Sequence, residues 1–396
     1  TEALYLHGLH LEQYRHATYD PEPYYEEALQ RDSGASRSHT ALGRRLYRKG
    51  RFEAAERHFR QAIDRLTLRN PNPYEGEPYY NLGLTLRMQE RFDEAYDAFY
   101  KAIWNDAWKG AGFFELARLA CRDEDYEEAL EFVDKALNNK ENHHKARHLR
   151  TLILRRLGRP GGAQAEIDRS LERDSLNLGI HFERAAMTDT PPLPDGARGD
   201  AETLIEVALD YAHAGQPEEA ERVLSEAAPD PMVAYYQGWI ALQRGADDRA
   251  DAAFHRARQR SPEYCFPNRI ECVPALQTAI ERHPEDPRAP YYLGNFWYAH
   301  ECYSEAIAMW EQARDRDCTL PTAHRNLALA YMNKRDAPDR ALEALEDAFS
   351  CDPTDARVFY ELDQLRKHRG VSPSDRLEQL EKHSRLVEER DDLTVE

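Results

Sequence analysis

Arginine and lysine residues recur along the first part of the chain at Arg37, Arg44, Arg48, Arg87, Arg118, Arg122, Lys145, Arg155 and Arg156, with Tyr47, Tyr80, Phe114 and His148 among them. Guanidinium forks suit carboxylates and phosphates, which they hold through paired hydrogen bonds. A surface that gathered these cations would attract an anionic segment. Further along, Tyr235, Trp239, Tyr291, Asn295, Tyr298, Arg325, Asn333, Tyr360 and Gln364 supply aromatic rings and amides. Such a mixture suits stacking on a sugar or gripping a peptide backbone. Each set also has a plainer reading. The cations could pair with acids on neighbouring helices, Glu115 and Asp123 being at hand, and half of the aromatics could be core.

Constellations for catalysis are missing. No phosphate-cradling loop of the G-x-G-x-x-G or G-K-[ST] type occurs, and no G-x-S-x-G or H-E-x-x-H. His143 and His144 are adjacent, so on a helix they point about 100° apart and do not chelate together. They read as exposed. Cys265 and Cys272 could meet across a turn, but no second pair of ligands has metal spacing. The pairs Glu127/Glu128 and Glu218/Glu219 sit at helix starts, where the helix dipole favours them. No catalytic residue, cofactor or metal is therefore expected, and the chain does not read as an enzyme.

Composition narrows the partners. The 72 acids against 53 bases give a net charge of −19 in 396 residues, the opposite of a general nucleic-acid binder. No apolar run approaches the ~20 residues of a membrane span. The cysteines Cys121, Cys265, Cys272, Cys302, Cys318 and Cys351 form no C-x-x-C pair. They read as scattered buried thiols of a cytoplasmic protein. With 41% hydrophobic and 10% aromatic residues the chain is too apolar for disorder.

The elements that position these residues follow from a repeat. Leu82, Gly83, Leu86, Phe92, Ala95, Phe99 and Ala102 recur in the same order as Leu42, Gly43, Leu46, Phe52, Ala55, Phe59 and Ala62. They return as Leu293, Gly294, Trp297, Tyr303, Ala306, Trp310 and Ala313. From Gly83 to Ala117 and on to Thr151 the step is 34 residues. Small residues let two helices approach, and bulky ones fill the space between them. Period and order resemble the tetratricopeptide repeat (TPR). The resemblance implies an all-α, TPR-like right-handed superhelix of about ten antiparallel helix pairs. Gly50, Gly158, Gly215 and Gly245 end first helices, and Pro262, Pro284 and Pro353 stop second ones. Single helices near 176–187 and 268–283 interrupt the pairs, and Arg69–Pro78 is an insertion. The expected divisions are 1–187, a sub-array with a basic concave face; 188–200, a Pro/Gly-rich loop; 201–262, middle pairs; 263–284, an irregular turn and single helix; and 285–396, a C-terminal sub-array that is cut short.

Several stretches go beyond the general repeat. Gly8–Leu29, Asn70–Arg87, Glu263–Glu271, Ala289–Tyr298, His324–Lys334, Ala356–Leu365 and Arg390–Glu396 resemble the TPR portion of a family of large bacterial proteins. In that family a β-rich domain of unassigned function precedes the repeats. The resemblance implies such a domain, with a carbohydrate-related role, upstream of this chain and more repeats downstream. It supplies no catalytic residue here.

The TPR resemblance also orients the side chains. First helices line a concave face, and the cations and aromatics named above fall at positions that point into it. The match to TPRs that clamp a peptide carboxylate is loose, through Thr40, Arg44, Asn81, Phe114 and Arg118. The leading expectation is a protein-interaction scaffold whose groove holds an extended or acidic peptide. The alternative is the helical accessory part of a bacterial carbohydrate-related enzyme. Its partner would then be its own β-rich domain, a second copy or a carbohydrate.

Overall fold

The computed structural model describes residues 1–14, 18–72, 74–188, 190–194 and 199–395. Within the stretches singled out above, residues 15–17, Pro73, Asp189, residues 195–198 and Glu396 lie outside the described residues. Helices follow one another with no strand among the described residues, and only Gly199 and Ala227 make an isolated bridge. The pairs are α1 (Glu2–Gln13) with α2 (Glu22–Arg31), α3 (Ser36–Arg48) with α4 (Phe52–Thr67), and α5 (Glu77–Met88) with α6 (Phe92–Ala102). Next come α7 (Lys109–Arg122) with α8 (Tyr126–Asn139) and α9 (His144–Arg156) with α10 (Pro160–Arg173). The single α11 (Leu178–Met187) precedes α12 (Ala201–His213) with α13 (Pro217–Ser225) and α14 (Pro231–Leu242) with α15 (Asp247–Gln259). A second single helix, α16 (Cys272–Arg282), precedes α17 (Arg288–Ala299) with α18 (Tyr303–Arg316) and α19 (Pro321–Arg335) with α20 (Pro338–Cys351). The pair α21 (Ala356–His368) and α22 (Pro373–Lys382) and the short α23 (Ser384–Glu388) and α24 (Asp391–Val395) finish the chain. Ten pairs and two single helices match the spacing in the sequence.

These helices form two compact units, Thr1–Val233 with Ile240–Ala246 and Ala234–Trp239 with Asp247–Glu396. In both, the small and bulky positions meet as the repeat requires. A Cβ added to Gly83 would stand 2.6 Å from the ring of Phe99, and one on Gly294 would stand 2.5 Å from Trp310. Phe99 is completely buried and Trp310 nearly so. Burying a side chain of this size contributes about 2–3 kcal/mol, and only a glycine opposite allows it here.

The turns inside pairs need one residue in the left-handed region. Gly50, Gly158, Gly215 and Gly245 supply it, with φ of 72°, 63°, 68° and 65°. Glu90, Glu124, Glu301 and Asp336 do the same without glycine, at 60°, 62°, 62° and 48°. In all of these turns but the one at Asp336, where Ala337 reaches back six residues to Tyr331 (3.0 Å), the amide after the left-handed residue reaches back five residues. Examples are Arg51 to the Leu46 carbonyl (2.9 Å) and Asp125 to that of Ala120 (2.9 Å).

A second recurring device holds the turns ahead of α3, α9, α11 and α19. The fourth residue of a first helix bonds the carbonyl six residues earlier: His39 to Ser33 (2.9 Å), His181 to Ser175 (2.8 Å), His324 to Cys318 (2.9 Å) and Arg147 to Glu141 (3.1 Å). A carbonyl only accepts, so each histidine carries its proton on Nε2. Buried histidines on first helices are thus turn staples. His143 is another structural histidine: it is half-buried, not exposed, and its Nδ1 accepts from the Ala146 amide (3.2 Å) at the start of α9.

Candidate functional site

The cations of α5, α7 and α9 converge, but on acids of the same chain. Arg87 pairs with Glu115 (2.9 Å), and Arg118 pairs with Glu115 (3.1 Å) and with Asp210 (2.5 Å) on α12. Lys145 meets Glu206 (2.8 Å) and Asp210 (3.2 Å). Arg155 pairs with Glu183 (2.8 Å) and Glu219 (3.3 Å), and Arg156 with Glu219 (2.5 Å). Helix α12 therefore packs against α7 and brings its own carboxylates to the basic face. Its other face is apolar, and Leu204, Ile205, Ala208, Tyr211 and Ala212 are buried. Gly215, just after α12, comes so close to Arg122 that an added Cβ would lie 2.6 Å from its Cα. Arg122 itself covers the ring of Phe92 at 3.8 Å, and burial lowers its pKa.

This is a correction to the expected groove. Arg87 and Arg118 are buried and Arg155 largely so, and a largely desolvated guanidinium requires carboxylate partners; Lys145 and Arg156 stay part-exposed but are paired within the same acid cluster. Glu115 of α7, Glu183 of α11, Glu206 and Asp210 of α12 and Glu219 of α13 are those partners. His213, at the end of α12, is half-buried beside Arg87, Arg118, Lys145 and Arg122. Burial first, and then these cations, push its pKa well below the usual value, so it stays neutral. Glu219, read as a helix-start acid, is a buried ion-pair partner.

Arg37 and Arg44, on α3, line an open pocket. Its volume is about 370 Å³, and Tyr5, Arg37, Thr40, Arg44, Tyr74 and Trp108 form much of its lining. Arg37 stacks over the Tyr5 ring at 4.1 Å and pairs with Glu2. Arg44 reaches Glu77 (2.9 Å) and Glu12 (3.5 Å), while its Nε is buried without a hydrogen-bond partner. Arg48 pairs with Glu12 at 2.9 Å. Tyr80 stacks on Trp108 with centroids 4.8 Å apart, and burial, the largest cause, raises its pKa. The insertion after α4 builds one wall. The Asn105 side-chain amide holds the Tyr74 carbonyl, and Tyr74 itself is 91% exposed. The result is a pocket of aromatic walls, two arginines and an amide, with carboxylates at its edge.

The later aromatic set is mostly interior. Tyr235 is fully buried and donates to Asp286 (2.8 Å), whose own amide-capping oxygen accepts from Arg288 (2.8 Å). Burial raises the pKa of both Tyr235 and Asp286. Tyr291 is buried too. Asn295 accepts from the Trp310 indole (3.0 Å) and from Asn326 (3.1 Å), so its carbonyl is engaged. Tyr298 packs on Trp310 at 5.1 Å, and Arg325 pairs with Glu361. Trp239 and Tyr360 are half-buried, Trp239 beside Tyr236 and Tyr360 under Arg390 at 5.3 Å. For Tyr235 and Tyr291 the expected stacking surface is corrected to core: a ring with no open face stacks on nothing from outside.

Among the described residues no group of three or more His, Cys, Asp or Glu side chains could hold a metal ion. None of their helices is long and apolar enough to cross a membrane. Stacked helix pairs joined by left-handed turns define a helical-repeat protein. Residues 35–103 and 295–356 match the tetratricopeptide-repeat family, and the chain carries tetratricopeptide repeats. It is similar to solved structures at low identity. One is a tetratricopeptide repeat protein from Parabacteroides merdae, 18% identical over 78% of this chain and 99% of that one, with a TM-score of 0.34. YrrB, described as a TPR protein with an unusual peptide-binding site, is 16% identical over 58% and 96%, with a TM-score of 0.24. The Naa15/Naa10 assembly bound to HypK-THB is 13% identical over 96% and 67%, with a TM-score of 0.32.

Proposed function

We propose that this chain is a non-catalytic interaction scaffold that holds an extended segment of a partner protein in the pocket between α1, α3 and the start of α7. The observation that carries the reading is Arg44, whose Nε is buried beside the pocket with no hydrogen-bond partner. A carboxylate or backbone carbonyl entering the pocket would satisfy it, with Arg37 and the exposed Tyr74 as further contacts. The aromatic walls suit the apolar parts of a peptide, and the two arginines favour an acidic residue within it.

The test is titration of acidic and neutral peptides against the chain and its Arg37→Glu and Tyr74→Ala variants. Both side chains are largely exposed, so neither change should disturb the fold. The reading expects each variant to weaken binding about tenfold, a cost of about 1.4 kcal/mol. Unchanged affinity in both would remove the pocket from consideration.

A further inference from the structure

Not every thiol is buried, contrary to what the sequence suggests. Cys121, Cys265, Cys272 and Cys302 are buried, whereas Cys318 is exposed and Cys351 half-buried. All six are free. Burial pushes the Cys121 thiol up to about 12, which makes it inert. The two accessible thiols are neighbours. Cys318 lies in the turn between α18 and α19, and Cys351 is the last residue of α20. Across 33 positions of sequence the Cys351 Sγ lies 3.1 Å from the Cys318 carbonyl. His324 donates to the same carbonyl (2.9 Å), so the turn is pinned in place. A sulfur seated on another cysteine's carbonyl is within a side-chain rotation of that cysteine's thiol.

We propose that Cys318 and Cys351 are a dithiol–disulfide pair, a modification site for low-molecular-weight disulfides that staples two consecutive repeats of the second unit. The exposed Cys318 gives up its proton to solvent, and its thiolate attacks one sulfur of the small disulfide. One small thiolate leaves and a mixed disulfide remains on Cys318. Cys351 then loses its proton and attacks the Cys318 sulfur, releasing the second small thiolate. Both leaving thiolates take up protons. The protein loses two hydrogens and gains one S–S bond, while the small disulfide is reduced to two thiols. Cys351 suits the second step. Burial, the largest cause, and nearby Asp347 raise its pKa, so it reacts slowly with outside reagents but faces a sulfur already delivered to it.

The experiment treats the full chain with oxidised glutathione at mildly alkaline pH, followed by intact mass and peptide mapping. The expected wild-type product keeps no glutathione and yields a Cys318–Cys351 linked peptide. Cys351→Ser should stop at glutathione retained on Cys318, and Cys318→Ser should lower the overall rate about tenfold. A wild-type chain that keeps glutathione on Cys318, as the Cys351→Ser variant does, would overturn the proposal. So would one that stays unmodified, since the first attack by Cys318 would then not occur.

Discussion

Arg118 on α7 donates to Asp210 on α12 at 2.5 Å across 92 positions of sequence, and the same carboxylate oxygen takes Lys145 of α9 at 3.2 Å. One acid thus fastens a later helix to two earlier first helices. It also explains why a strongly acidic chain gathers cations there: the anionic segment they attract is part of the chain.

Removing Asp210 should therefore cost far more than a surface ion pair does. Both partners are largely shielded from water, and stripping one member from such a pair costs about 3–5 kcal/mol. Asp210→Ala should lower the midpoint of urea unfolding by a corresponding amount. A loss below about 1 kcal/mol, the range of exposed pairs, would show that α12 is held by its apolar face alone.

Gly83 offers a packing test. Its missing side chain is the space that Phe99 fills. Gly83→Leu should destabilise the first unit by about 1–3 kcal/mol through overpacking. A second change, Phe99→Ala, should recover part of that loss. Melting curves of the single and double variants would show additive losses if the two residues did not share the space.

Glu124 holds a left-handed conformation that costs an L-residue roughly 1–2 kcal/mol and a glycine little. Glu124→Gly should stabilise the protein, by about 0.5–1 kcal/mol once the added freedom of the unfolded chain is counted. A lower melting temperature in the variant would mean that the glutamate side chain matters more than its backbone.

Acid should weaken the fold well before its carboxylates titrate. His58 sits against His39, with ring nitrogens 2.9 Å apart. Burial, then His39 and Arg57, lower its pKa from 6.5 to about 4. Between those values the unfolded chain binds the proton and the folded chain does not, so stability falls as pH drops from 6.5 towards 4. The buried His148 and the half-buried His213 shift in the same direction. Melting temperature should decline over this window, and His58→Gln should make the decline shallower. Equal slopes in the two proteins would discount His58.

The pairs and the two single helices were legible in the sequence because Gly, Ala and aromatic residues recur where helices touch. Glycine turns were equally plain. Glu90 and Glu124 were not, since nothing in a glutamate signals a left-handed backbone. The basic groove was misread for a different reason. Residue positions along a first helix show which face a side chain points to, but not what covers that face. Glu206 and Asp210 are four apart on α12, a visible acidic stripe, yet no local pattern ties it to Arg118. Tyr235 and Tyr291 were misplaced because first helices are packed on both flanks, so an aromatic position there serves the core as readily as a groove.

Photo-cross-linking of an acidic peptide to the chain, mapped by mass spectrometry, tests the central claim most directly. The account predicts adducts at Tyr5, Arg37, Tyr74 and Trp108, in the open pocket. Adducts concentrated between Arg118 and Arg156 would contradict it, because they would show that the face covered by α12 is open to partners after all.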